Sequence, residues 1–436
     1  MYFHQEIKGC LHKTIQTEGL SEDFIKDYLP TLKKTLEKLK KAHQEETLPI
    51  LKLPYLRADI AALRELVLKI QDDFTDTVIL GTGGSSLGGQ TFYALAGREA
   101  THTLHFMDNI DPQTFQTLFK QLNFKSTLFL VISKSGNTAE TLIQFLTCLQ
   151  KVKKEISTDS IKDHFIVITE PKESPLRKLA EFYRIPIFDH DPHVGGRFSA
   201  LSIVGLFPAM IAGIDPVLIR EGAARVFDRL LSLEDPSNFG PAVGAALSYA
   251  LETKKGKTIS VLMPYVDDLY YFSLWYRQLW AESLGKKGHG TTPVNGLGAV
   301  DQHSQLQLYL DGPSDKFYTI IVSSMENKGD PIAEKFSTVS DELKCFSFAT
   351  MGDLMEAEQR ATIDTLIKNK RPTRVLEIPV LSPDFIGTLM MHFILETIFM
   401  ADLYGVDPFT QPAVEEGKIL AKKYLEKILK ERLSPS

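Results

Sequence analysis

Residues 77–96 read TVILGTGGSSLGGQTFYALA, and this stretch decides the fold. Thr77–Leu80 is an unbroken β-branched and aliphatic run, as expected of a strand buried on both faces. It leads into Gly81–Gly89, where every residue except Leu87 is glycine or hydroxylic, and helical periodicity follows over Leu87–Ala96. Outward from here the same texture repeats. Strand-like runs at Thr103–Met107, Thr127–Ser133 and Phe165–Thr169 alternate with helical patterns at Pro112–Leu122 and Ala139–Val152, and further strands are expected at Thr258–Met263, Tyr318–Val322 and Arg374–Ile378. Alternation of this length indicates βαβ units and mostly parallel sheets flanked by helices. The fold class is therefore α/β with two open sheets, the boundary falling near Ile214–Pro216. The predicted division is a helical segment over 1–45, α/β domains over 46–215 and 216–410, and a C-terminal helix over 411–436. In the first segment Phe24, Ile25, Tyr28, Leu29, Leu32, Leu36 and Leu39 recur at helical spacing, with Pro30 expected to kink or restart the helix. The lysine run at 33–41 reads as its solvated face.

Composition bounds the function. The 436 residues are 43% hydrophobic and 24% charged, ample for large cores and unlike a disordered chain. A net charge of -6 leaves no basic footprint for nucleic acid, so an anionic ligand must be held by a local pocket. The three cysteines, Cys10, Cys148 and Cys345, are scattered, and neither a CxxC pair nor a Cys/His cluster suggests a metal. A reducing, cytoplasmic setting fits best. The N-terminus lacks the pattern of a signal peptide. The apolar stretch Phe385–Leu403 is interrupted by His392, Glu396 and Asp402 and reads as a buried helix, not a membrane span.

Ligands of open parallel sheets sit beyond the carboxyl ends of the strands, so the turns there carry the chemistry. Gly81–Gly89 lacks the Gly-Lys-Ser/Thr ending of a P-loop, and Ser86 stands where GxGxxG needs its last glycine. A phosphate or sugar phosphate is favoured over a dinucleotide; the bland alternative is a tight turn with a helix cap. Ser133-Lys134-Ser135-Gly136-Asn137-Thr138-Ala139-Glu140-Thr141 packs hydroxyls and one lysine into a single βα turn, more than a cap requires. Arg197 follows paired glycines in Val194–Ser199, suiting an anion or a developing oxyanion. Gln278 and Glu282 lie four apart on one helical face, and His303 opens a later helical pattern; a carboxylate and a histidine are the residue types for acid–base work. Gln411 and Lys418 are two turns apart around Pro412, which suits a first helical turn. Each feature alone also has a structural reading: a cap, a surface arginine, a solvated lysine.

Together these segments resemble the phosphoglucose isomerase family. The resemblance rests on GTGGSSLGG at 81–89, SKSGNTAET at 133–141, VGGRFS at 194–199, QLWAESLGK at 278–286, DQHSQLQLYLDG at 301–312 and QPAVEEGK at 411–418, in the family's order. It implies a homodimer with shared active sites, two sugar-isomerase (SIS) domains per chain, and interconversion of glucose 6-phosphate and fructose 6-phosphate through ring opening and a cis-enediol(ate). It further implies that Gly84 and Ser85 contact substrate and that Ser133, Lys134, Ser135 and Thr138 line the phosphate site. Glu282 matches the proton-shuttling base and Gln278 its neighbour. Arg197, with Gly196, matches the arginine near the reacting oxygens. His303 matches the ring-opening histidine supplied by the other subunit, Glu140 its partner, and Gln411 and Lys418 the terminal pair. No metal or cofactor is implied, and neither a nucleic acid nor a membrane partner. Ser86, Gly136-Asn137, Ala413 and Glu416 depart from the family's usual residues, which bears on the shape of the phosphate turn and tail. An isomerase also accepting mannose 6-phosphate and a non-catalytic SIS regulator are the alternatives. The regulator has no use for Glu282, Arg197, His303 and Lys418 together. His102, His105, His164 and His392 read as structural, and His289 is the competitor to His303.

Overall fold

A computed structural model describes residues 3–97, 100 and 102–433. A short strand, β1 (His4–Glu6), a one-turn helix, α1 (His12–Ile15), and two longer helices, α2 (Leu29–Gln44) and α3 (Ala58–Asp73), precede the first sheet. The expected restart near Pro30 is present: a 3-10 turn, Phe24–Asp27, ends just before α2, whose first turn holds the proline. Proline is tolerated there because first-turn N–H groups have no intrahelical acceptor.

The first sheet alternates β2 (Asp76–Leu80), α4 (Gly84–Ala96), β3 (Thr103–Met107), α5 (Pro112–Gln121), β4 (Thr127–Ile132), α6 (Ala139–Glu155), β5 (Phe165–Thr169), α7 (Pro175–Phe182) and β6 (Ile187–Asp189). Its strands are all parallel, in the order β3-β2-β4-β5-β6. The chain leaves β2 for β3 on one side and returns to β4 on the other, so the order reverses between β2 and β4. A ligand crevice belongs at that reversal. Leu80 lies opposite both Met107 and Val131, so the turns after β2 and β4 emerge side by side.

Helices α8 (Ile203–Ile211), α9 (Pro216–Leu231) and α10 (Gly240–Lys255) lead to the second sheet. There β7 (Ile259–Pro264), α11 (Tyr270–Leu284), β8 (Thr292–Asn295), α12 (Gln302–Asp311), β9 (Lys316–Ser323), α13 (Met351–Lys368) and β10 (Thr373–Ile378) alternate before α14 (Pro383–Tyr404) and α15 (Glu415–Leu433). The order is β1-β10-β9-β7-β8, parallel except for β1. The N-terminal segment is thus not purely helical: β1 lends the second sheet an antiparallel edge. Its His-Gln-Glu sequence offers no alternation to read, and β8, the opposite edge, contains Pro293, which edge strands tolerate.

Both sheets bury both faces. Ile79, Leu128, Leu130 and Ile168 of the first share one continuous core with Leu262, Phe317, Ile321 and Leu376 of the second. Val78, Val131 and Val167 face a separate cluster under α5–α7, and Val261, Ile320 and Val375 face another under α12 and α13. The two sheets are therefore distinct in topology but joined in packing. Helix α14 is long and apolar enough to cross a membrane, yet 89% of its most apolar window is buried in the protein. At its centre Glu396 accepts twice from Arg374 at 2.9 Å and lies 3.2 Å from His392, all three fully buried. Burial drives the His392 pKa down, so this core histidine stays neutral.

Candidate active site

The turn after β4 gathers hydroxyl groups at the start of α6. Ser133, itself buried, donates from Oγ to Thr138 Oγ1 at 3.0 Å. Thr138 is the N-cap residue of α6, but its side chain does not cap, which leaves the first-turn N–H groups without a capping acceptor. Gly136 has φ +62°, and a Cβ there would lie 2.1 Å from Ser174 Oγ, so glycine is required both by conformation and by space. Lys134 Nζ is 3.6 Å from Glu170 Oε1, Ser135 Oγ accepts from Asn137 N at 3.2 Å, and Glu140 is exposed in the first turn of α6. Thr141, one residue further, has a buried hydroxyl with no hydrogen-bond partner among the described residues. A buried hydroxyl without a partner is costly unless a ligand completes it.

The neighbouring turn after β2 brings Gly84 and Ser85 to the start of α4. A Cβ on Gly84 would lie 2.1 Å from Gly196 O, so the helix start packs directly on the Gly196–Arg197 backbone. That contact places Arg197 beside the C-terminal end of α11. Gln278 and Glu282 share one face of α11 as their spacing predicts, and Gln278 Nε2 donates to Glu282 Oε1 at 3.0 Å. The other carboxylate oxygen, Oε2, accepts from Arg197 Nη1 at 3.2 Å. Gln278 Oε1 is buried without a hydrogen-bond partner among the described residues.

Arg197 is 2% exposed, and all its N–H groups meet protein acceptors. Nε donates to Ser283 Oγ at 2.8 Å; Nη1 donates to Glu282 and to Gln411 Oε1; Nη2 donates to Pro408 O and, at 3.1 Å, to Thr410 O. The guanidinium thus joins the first sheet, the end of α11 and the segment that leads to α15. Phe198 packs on Phe409 with ring centroids 5.2 Å apart, reinforcing the same junction. Burial lowers the Arg197 pKa, opposed by Glu282.

Of the residues singled out in the sequence, Gly84, Gly196, Arg197, Gln278, Glu282 and Gln411 form one contiguous cluster, with Ser133, Lys134, Ser135 and Thr138 on the adjacent turn. Lys418 is not among them. It pairs with Glu415 at 2.7 Å, and α15 has no buried residue, so only Gln411 of the terminal pair reaches the cluster. His303 is exposed at the start of α12, and Glu140 is exposed on α6. His289 stacks on Tyr404, centroids 5.1 Å apart. Among the described residues no group of His, Cys, Asp and Glu has the arrangement to hold a metal ion. Sequence reasoning missed Thr141 and Ser283. Both stood inside quoted stretches, but only packing reveals that one is an orphaned hydroxyl and the other the anchor of Arg197.

A family model described as phosphoglucose isomerase matches residues 67–434. A glucose-6-phosphate isomerase of Carboxydothermus hydrogenoformans is 34% identical over 432 residues, covering 95% of this chain and 92% of that one. A hypothetical protein of Thermus thermophilus superposes with a TM-score of 0.83 at 31% identity, covering 97% of this chain and 99% of that one. A glucose-6-phosphate isomerase of Chlamydia trachomatis gives a TM-score of 0.76 at 22% identity over 87% of this chain and 78% of that one, a likeness of fold.

Proposed function

The chain belongs to the phosphoglucose isomerase family, and from that premise we propose that it interconverts glucose 6-phosphate and fructose 6-phosphate with Glu282 as the base. The observation that carries this reading is the carboxylate of Glu282, fixed through both oxygens by Gln278 and Arg197 and set beside a turn suited to phosphate. In it, Ser133, Lys134, Ser135, Thr138 and Thr141 receive the phosphoryl group with the N-terminus of α6, anchoring the sugar away from the reacting carbons. Gly84 and Ser85 let the α4 backbone approach the sugar, and the open Gln278 Oε1 accepts from a sugar hydroxyl. Glu282 takes the proton from C2 of the open-chain aldose and returns it to C1 of the cis-enediolate, while the hydroxyl proton on O2 passes to O1 as the C1 carbonyl is replaced by one at C2. The carboxylate is regenerated, and no electrons leave the substrate. Arg197 offsets the charge on the enediolate oxygen by exchanging one of its protein acceptors for that oxygen.

Ring opening must come first and needs an acid and a base of its own. We assign it to His303, oriented by Glu140, together with Lys418. In one chain these residues lie apart, and their surroundings suggest how they meet. His303 is flanked by the exposed Val300 and Leu308, while Glu140 precedes Ile143 and Leu146 on a face bordering a groove of about 650 Å³ between α5 and α6. Two such faces meet in a homodimer that delivers His303 of one subunit to Glu140 of the other. The free thiols Cys10, Cys148 and Cys345 suit a reducing compartment, and we assign the reaction to the cytoplasm.

The test is fructose 6-phosphate conversion by wild type and Glu282→Gln. The substitution keeps the shape and the bond from Gln278 but removes the base, and kcat is expected to fall by about a thousandfold or more with sugar-phosphate binding retained. Equal kcat in the two proteins refutes the base assignment.

A further inference from the structure

Helix α11 ends at Leu284, two residues beyond the base. A helix end leaves carbonyl oxygens without N–H partners and gathers partial negative charge. Here two of those carbonyls share one ammonium: Lys286 Nζ donates to Glu282 O at 2.8 Å and to Ser283 O at 2.6 Å. They belong to the residue that carries the base carboxylate and to the residue whose Oγ holds Arg197 Nε. The Lys286 backbone is itself fixed, its N–H donating to Leu284 O at 2.8 Å and its carbonyl accepting from His289 N at 2.9 Å.

We propose that Lys286 is a positioning residue for the isomerase reaction, its ammonium holding the last turn of α11, and with it Glu282 and Ser283, in register with Arg197. The proposal rests on Glu282 being the base. Without the ammonium, both carbonyls lose their donor, and the negative helix end stands unopposed beside the site of the anionic enediolate. The charged groups facing Lys286 are Glu282 on its own segment, Arg197 from the Gly196–Leu201 turn and Asp407 from the segment after α14. Burial draws the lysine pKa down to about 8, repulsion from Arg197 adds to the drop, and Asp407 and Glu282 oppose it. The positive charge is therefore present at neutral pH and lost as pH rises through about 8. A guanidinium at this position keeps its charge throughout.

The test is the pH dependence of kcat and KM for fructose 6-phosphate in wild type, Lys286→Met, Lys286→Arg and Glu282→Gln, with melting temperature recorded for each. Wild type is expected to lose kcat with an apparent pKa near 8. Lys286→Met should start about tenfold lower at neutral pH, with KM little changed and this alkaline limb absent. Lys286→Arg should recover most of the neutral kcat and carry its plateau past the wild-type limb. This arginine variant also decides the matter should the methionine variant fail to fold. Wild-type kcat and an unmoved limb in Lys286→Met, or an unmoved limb in Lys286→Arg, overturns the proposal. Full turnover by Glu282→Gln overturns the base reading instead; an inactive Glu282→Gln beside an unaffected Lys286→Met removes only the role of Lys286.

Discussion

Arg197 has five N–H groups, and the protein uses every one, across contacts that reach from 85 to 214 residues along the chain. The sequence could mark this arginine as unusual, since it follows paired glycines, but nothing in a linear pattern announces Ser283 or the carbonyls of Pro408 and Thr410 as its acceptors. Their convergence makes a specific prediction. Lysine offers three donors from one point and cannot reproduce a planar fork that bonds on three sides. Arg197→Lys is therefore expected to leave acceptors at Pro408, Thr410 or Gln411 unfilled. It should lower kcat by about a hundredfold through loss of the oxyanion partner. It should also raise amide exchange over residues 408–411, a readout of the junction itself. Unchanged exchange there combined with wild-type kcat would show that the network is incidental.

At the scale of elements, the turn between β4 and α6 joins conformation to affinity. Gly136 sits at φ +62° with Ser174 filling the space a side chain would need. Gly136→Ala must shift the turn, and with it the Ser133–Thr138 bond and the first-turn N–H groups of α6. In the proposed reaction the phosphoryl group does not change, so contacts of this turn with it would bind substrate and transition state alike. The expected result is a rise in KM of about tenfold with kcat preserved, and a matching loss of inhibition by inorganic phosphate. A fall in kcat at constant KM would move this turn from anchoring to chemistry. The same element explains what the sequence reveals. A strand buried on both faces is a continuous apolar run, so β2, β4 and β5 were legible to within a residue or two, as was the i,i+4 pair on α11. Strands β1, β6 and β8 were not: three or four residues are too few to carry a periodicity, and neighbours in space decide their pairing. Thr141 shows the same limit within the site. Its hydroxyl was plain in the sequence, whereas its burial without a partner belongs to the packing of α6 against the first sheet.

At the scale of the whole molecule, the proposed ring-opening residues His303, Glu140 and Lys418 all lie on exposed surfaces. Helix α15 buries nothing, although Ile419, Leu420, Tyr424, Leu425, Ile428 and Leu429 lie along it, and Lys418 pairs with Glu415 on the same helix. In proteins most helical stability comes from packing an apolar face, and within one chain this 19-residue helix buries none. His303 and Glu140 are likewise exposed, each beside apolar side chains. If a second copy completes the site, His303→Ala and Glu282→Gln subunits, each inactive as homodimers, must complement one another. In a mixed dimer one site receives Glu282 from the first subunit and His303 from the second, and the other site receives neither. Random reassortment makes about half of the dimers mixed with one of two sites intact, so activity should recover to about a quarter of wild type after subunit exchange. Recovery should follow the fraction of mixed dimers measured with differently tagged chains and vanish on dilution into monomers. Demonstrated mixed dimers that stay inactive would place both residues in a site confined to one chain, and α12 would then have to move to bring His303 there.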